Sequence, residues 1–288
     1  MKPRTAKSRS SGVRHYACIL AGLAFAIPHA FAQDPSDIVR RSVEIDKHNT
    51  ELARNYTFIE RQQQREIDSN GRVKRTESET YDVTLLEGSP YRRLIARNDQ
   101  PLSAKDRAKE EEKLQKSIED RRKETPEARA RRVQEWERKQ EKQREPLREI
   151  PEAFDLKLAG EGKVDGIDTW IIDATPRPGY RPRSQATSFF PKVRARFWIA
   201  RQDYQWVKID MESLDTITFG GFLIRMAKGS HMEFEAARIN NEVWLPRRAV
   251  LKGSVRIALI KVLRGDMTFE FSDYKKFQTD SRIVTTGQ

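Results

Sequence analysis

Ala195-Arg196-Phe197-Trp198-Ile199-Ala200-Arg201, returning as Trp206-Val207-Lys208-Ile209-Asp210-Met211, is the stretch whose reading decides the fold. Val207, Ile209 and Met211 alternate with Lys208 and Asp210, the two-residue period of a strand with one covered face and one wet face. Arg201-Gln202-Asp203 lies between the two runs, so the pair reads as an antiparallel hairpin. Downstream, the same pattern repeats over Ile217 to Met226, Met232 to Ile239, Val243 to Leu251, Val255 to Val262 and Met267 to Tyr274. Asn240-Asn241, Lys252-Gly253 and Arg264-Gly265-Asp266 read as the turns between these runs. Upstream, Phe154, Leu156 and Leu158 alternate, Asp165-Gly166 supplies a turn, and Trp170, Ile172 and Ala174 share one face. A proline- and arginine-rich loop then runs from Pro176 to Pro191.

Nearer the start, Asp34-Pro35-Ser36 offers a capping residue and a first-turn proline. Ile38, Val39, Val43, Ile45, Leu52 and Ala53 follow at helical spacing. Strands are expected over Tyr56 to Ile67, Val73 to Leu86 and Tyr91 to Arg97, with turns at Ser69-Asn70-Gly71 and Glu87-Gly88-Ser89-Pro90. Glu60 to Glu66 is wholly polar and includes Gln62-Gln63-Gln64, which places part of the first strand in solvent or at an edge. Between Lys105 and Glu149 more than half the residues are charged. Ala104 to Lys123 and Pro126 to Arg144 read as two solvated helices, whose few apolar positions are Leu114, Ile118, Val133 and Trp136. Trp136, isolated among charges, marks a point where the second helix docks.

Residues 1–32 read as a secretory signal peptide: Lys2, Arg4, Lys7, Arg9 and Arg14, then an apolar run from Tyr16 to Ile27, then Ala30-Phe31-Ala32 before Gln33. The run is shorter than the roughly 20 apolar residues of a membrane-spanning helix. An exported product in the periplasm is therefore expected. Removing those five basic residues from the formal +12 leaves +7. The single cysteine, Cys18, lies in the same segment and not at a lipid-attachment position, so no disulfide, thiolate chemistry or lipid anchor is expected of the remainder. The divisions are 1–32 signal, 33–100 helix and first strands, 101–150 charged insertion, 151–277 main meander of the same domain, and 278–288 tail.

The fold class expected is mainly β with helices (α+β), one large antiparallel sheet with an N-terminal helix and the insertion as lid or arm. A sheet of about ten strands curls, and too few apolar helix positions exist to cover it. A curled, incompletely covered sheet leaves an apolar cavity. Trp170, Phe197, Trp198, Ile199, Trp206, Phe222, Phe234 and Trp244 are the candidates to line it, although strand aromatics also serve simply as core.

Catalytic patterns are absent from this reading. Beyond the signal only His48 and His231 occur, neither at metal-ligand spacing, and Ser230 beside His231 would point to the opposite face of a strand. There is no phosphate-cradling glycine loop. A non-enzyme without cofactor or metal is expected. Interleaved acidic and basic residues in the insertion, together with export, speak against nucleic acid. Arg177, Arg181 and Arg183 with Tyr180 form a basic loop that could face lipid phosphates or an acidic partner, or stay solvated.

In order of elements, the chain resembles the LolA-like family of periplasmic lipoprotein carriers and outer-membrane lipoprotein-sorting proteins. Gly166-Ile167-Asp168-Thr169-Trp170-Ile171-Ile172 looks like that family's short turn and aromatic strand, and Ala195 to Arg201 with Trp206-Val207-Lys208-Ile209 looks like its aromatic-Trp-Ile hairpin and lysine-bearing return. Ala200 stands where that pattern has an acidic residue, and the insertion is longer than a compact lid. The resemblance implies an unclosed β-barrel with helices over its mouth, binding lipid or lipoprotein acyl chains, with transient membrane contact. The same fold serves envelope-stress sensing proteins, which leaves open an interaction protein that meets an envelope partner through 101–150.

Overall fold

The computed structural model describes residues 33–219, 224–257 and 261–277, and Phe222 lies outside them. The first helix, α1 (Pro35–Ala53), begins where Asp34 accepts a hydrogen bond from the Ser36 N–H at 2.9 Å, with Pro35 in the first turn. Its inward stripe starts apolar, with Ile38, Val39 and Ser42 buried. The same stripe continues through Asp46, Asn49, Thr50 and Ala53.

Strands β1 (Tyr56–Ile67), β2 (Val73–Leu86), β3 (Ser89–Arg97) and the two-residue β4 (Gln100–Pro101) follow. The insertion folds as α2 (Ala104–Arg122) and α3 (Pro126–Ala153), N-capped by Ser103 and Thr125. Then come β5 (Phe154–Val164), β6 (Ile167–Pro176), β7 (Val193–Ala200), β8 (Trp206–Ser213), β9 (Ile217–Phe219), β10 (Ile224–Met226), β11 (His231–Ile239), β12 (Val243–Ile257) and β13 (Lys261–Lys276). The helix α3 outruns its sequence expectation by nine residues. Pro146 and Pro151 each remove one helical hydrogen bond, but burial of Glu149, Ile150 and Ala153 holds the last turns in place.

All pairings are antiparallel, in the order β4-β3-β2-β1-β13-β12-β11-β8-β7-β6-β5, with the β9–β10 hairpin joined to β12 through β10. The edges β4 and β5 do not pair, so the sheet is not closed into a barrel. The helical insertion leaves from one edge, at β4, and returns at the other, at β5.

Of the two alternatives for the polar run of β1, solvent exposure holds at Gln64 and Arg65 but an edge position does not: β1 lies between β2 and β13, with Gln63 opposite Ser78 on one side and Thr268 on the other. Its polar run is accommodated because the neighbouring strand ends are themselves polar and half-exposed there. Gly253 and Gly265 are not turns either. They face each other inside continuous β12 and β13, where a Cβ on Gly265 would fall 1.7 Å from the Arg65 carbonyl oxygen and one on Gly253 2.3 Å from the Ser230 hydroxyl. Glycine there permits close strand approach at a φ near +150°, which other residues rarely adopt. Asn240-Asn241, by contrast, is the expected hairpin, with φ of 51° and 56°.

The main core lies over β5–β8. Ile38 and Val39 of α1 and Ile150 and Ala153 of α3 pack there against Phe154, Ile172, Phe197 and Ile199.

Candidate functional site

Away from that core, α1 and α3 stand off the sheet and enclose a cavity of about 760 Å³. Its floor is mainly apolar: Phe58 of β1, Val83 and Leu85 of β2, Ile209 of β8, Met232, Phe234 and Ala236 of β11, Leu245 and Ala249 of β12, and Phe271 of β13. Met232, Phe234 and Ala236 show the two-residue period that puts alternate strand residues on one face. From β2 to β8 is five ladder steps, about 24 Å in a flat sheet, yet both strands wall one cavity, so the sheet must curve around it.

The roof differs from the floor. Asp46, Asn49 and Thr50 of α1 face Gln140, Gln143 and Arg144 of α3 across the cavity. Arg144 bridges the two helices through Asp46 at 2.7 Å, both side chains being about five-sixths buried. Asn49 clamps α1 to the sheet like an added strand residue: its amide donates to the Trp244 carbonyl at 2.8 Å and its oxygen accepts from the Trp244 N–H at 2.7 Å.

The last turn of α2, through Arg121, and the N-terminal half of α3, through Arg132, are fixed to the β2–β3 turn. Arg121 donates to the carbonyls of Leu86 and Ser89 at 2.7 and 3.0 Å; Arg132 donates to the Glu87 carbonyl at 2.9 Å and pairs with Glu124. Hydrogen bonding to Arg132 holds the Glu124 carboxyl below the usual carboxylate range. The insertion is thus docked as a lid, not a free arm, although α2 itself has no buried residue.

Trp206, Phe234 and Trp244 lie on the cavity wall. Trp170, Phe197 and Ile199 lie in the main core, with the Phe197 ring 5.2 Å from that of Trp206 at the border between core and cavity. Trp198 packs against Ala200 and Val207, with the Lys208 ammonium 5.6 Å from its ring centroid. Trp136 also lines the cavity, under the Arg54 guanidinium at 5.7 Å. The polar roof residues Asn49, Gln140, Gln143 and Arg144 were not singled out from sequence. The available signal was the helical period that carries Trp136, Gln140, Gln143 and Leu147 along one stripe of α3.

Tyr274 lines the same wall and donates to the Pro246 carbonyl at 2.5 Å; burial pushes its hydroxyl well above the ordinary tyrosine value. The indole N–H of Trp206 is buried with no protein acceptor. In the basic loop, Arg177 pairs with Asp155 at 2.9 Å and Arg183 with Glu152, while Arg181 is exposed. The Ser230 hydroxyl donates to the Ala227 carbonyl at 2.7 Å, while His231 approaches Asp210 at 3.4 Å. Among the described residues no group of three or more His, Cys, Asp or Glu could hold a metal ion, and no helix is long and apolar enough to cross a membrane.

No family profile and no curated protein matches the chain. Solved structures similar to it include a LolA superfamily protein from Nitrosomonas europaea, at 10% identity and TM-score 0.33 over 85% of this chain and 93% of that one. A putative outer membrane lipoprotein-sorting protein domain from Vibrio parahaemolyticus matches at 11% identity and TM-score 0.33 over 85% and 95%. The MucA/MucB complex of Pseudomonas aeruginosa matches at 11% identity and TM-score 0.22 over 85% and 99%. The open antiparallel sheet under helices is what the chain's own structure shows. Superpositions this loose leave the function to the chain's own cavity.

Proposed function

We propose that this chain is an exported, non-enzymatic carrier of lipid or lipoprotein acyl chains, working in the periplasm in the manner of outer-membrane lipoprotein sorting. The observation that carries the reading is the cavity of about 760 Å³, floored by Phe58, Met232, Phe234 and Phe271 and roofed by helices that do not fill it. Its volume is that of a small-molecule site, and each CH₂ moved into it from water contributes about 0.8 kcal/mol. The export segment supplies the compartment. Trp206, Phe234 and Trp244 would touch the chains directly, whereas Trp170, Phe197 and Ile199 would support the wall from the core. A second reading, an envelope interaction protein, is favoured by one feature: α2 buries no residue and carries charge of both signs on its outer face.

The test is titration of the full-length protein with a fluorescent fatty acid, together with mass spectrometry of lipids extracted from protein purified from its own periplasm. Saturable uptake that Ala236→Trp lowers at least tenfold, with thermal stability retained, is expected. No uptake and no co-purifying lipid would overturn the carrier reading in favour of the second.

A further inference from the structure

Beside the acyl cavity lies a second compartment of about 600 Å³, between the β2–β3 turn and the N-terminal half of α3. Arg54, Leu85 and Trp136 belong to both walls and form the partition. The second compartment combines an apolar side, Leu85, Val133, Trp136 and Phe277, with a charged one. Its charged residues are two cations, Arg54 and Arg129, and two anions, Glu87 and Glu137. Arg54 pairs with Glu137 at 2.8 Å and Arg129 with Glu87 at 3.2 Å, each pair partly exposed.

The arginines are incompletely used. Three buried side-chain donors among the described residues have no protein acceptor, and all three stand on these two walls: Trp206 Nε1 on the cavity, Arg54 Nε on the partition, and Arg129 Nε on the compartment. An unpaired buried donor is costly, and such a group calls for an acceptor, an ordered water or a bound polar group. Two guanidiniums with spare donors suit a phosphate. A phosphate alone, however, would leave the two carboxylates facing an added negative charge. A group with a phosphate and a primary ammonium matches the 2:2 set, because carboxylates accept the N–H bonds of a primary ammonium.

We infer that this compartment receives the zwitterionic phosphoethanolamine head of a phospholipid whose chains occupy the adjoining cavity. The inference rests on the acyl-carrier reading and names its ligand class. Leu85 and Trp136 mark the passage from chains to head, and displacement of the Arg54–Trp136 contact would open it.

Competition of the full-length protein's fluorescent fatty acid by four ligands tests this: phosphatidylethanolamine, phosphatidylglycerol and diacylglycerol with the same chains, and chainless glycerophosphoethanolamine. Phosphatidylethanolamine should compete roughly tenfold better than diacylglycerol and better than phosphatidylglycerol. Arg129→Gln, which does not line the acyl cavity, should remove the advantage over diacylglycerol while fatty-acid uptake persists. Glu87→Gln should shift preference toward phosphatidylglycerol, a reversal that mere loosening of the lid would not produce. Equal competition by all lipids that carry chains, or competition by glycerophosphoethanolamine equal to that of the intact lipid, overturns the inference and leaves the carrier reading standing. Failure of the fatty acid to bind at all overturns the carrier reading itself.

Discussion

Two halves of one sheet face are covered by the same two helices with opposite results. Over β5–β8 the helices present Ile38, Val39, Ile150 and Ala153, and the space is filled. Over β1, β2 and β11–β13 the same stripes present Asn49, Thr50, Gln140, Gln143 and Arg144, and a cavity remains. Long polar side chains keep their heads solvated or paired with one another and do not descend onto an apolar floor, because burying them unpaired costs more than the contact returns. Cavity and core therefore differ through the helices more than through the strands.

The comparison breaks most visibly in the core. Phe197→Ala, at a 3% exposed site, should cost about 3–5 kcal/mol in urea unfolding. Phe234→Ala, which already borders open space, should cost under about 2 kcal/mol and chiefly weaken ligand uptake. Equal costs would mean that the second half is packed in solution.

Smaller is the effect expected at the helix bridge. A double-mutant cycle of Arg144→Ala and Asp46→Ala, a pair only 16% and 17% exposed, should return a coupling of about 1–3 kcal/mol, with faster ligand entry in either single variant. No coupling together with unchanged entry rates would separate the bridge from access to the cavity. Gln143→Leu extends the apolar stripe of α3 into the open half. It should stabilise the protein by about 1 kcal/mol and reduce the volume available to ligand, read as weaker fatty-acid binding.

Acid should act most gently. Glu124, hydrogen-bonded to Arg132, and Glu242, hydrogen-bonded to Lys276 and Tyr56, both sit below their ordinary values when folded. A depressed carboxylate stabilises the fold above its unfolded pKa, about 4.3, and that stability is lost as pH falls through the lower folded value. Hydrogen exchange at the Arg132 end of α3 should therefore rise below about pH 4 before that of β6 and β7, where Asp168, exposed near the start of β6, and Asp173, on the outer face, are also depressed, the inner face being held by apolar packing. Simultaneous loosening would remove the electrostatic difference between the halves.

Local chemistry was readable wherever neighbours in sequence are also neighbours in space. The Asp34 cap, the Asn240-Asn241 hairpin and the alternation of Trp170, Ile172 and Ala174 all depend on a few adjacent residues, whereas the bulge opposite Trp198 and Ile199 takes Val207 off the face of Ile209 and Met211. Gly253 and Gly265 were misleading for the opposite reason. The feature that requires glycine at 265 is the carbonyl of Arg65, two hundred residues away, and a glycine that admits a distant backbone looks the same as one that makes a turn. Gln62-Gln63-Gln64 likewise carried no sign that β13, from the far end of the chain, would cover their outer side.

The site divides along the same line. Strand aromatics could be enumerated from the sequence, but which of them meet ligand space depends on where α1 and α3 land. Trp206 and Trp244 reach the cavity while Trp170 is absorbed by the core. By itself the sequence determined antiparallel strands, two charged helices and a chain without cysteine after Cys18, because charge, period and caps are local. Tertiary structure alone decided that the insertion runs from one free edge of the sheet to the other, and that its polar stripe lies over apolar strands. That placement is set by contacts between distant residues, and it leaves the space that a ligand would fill.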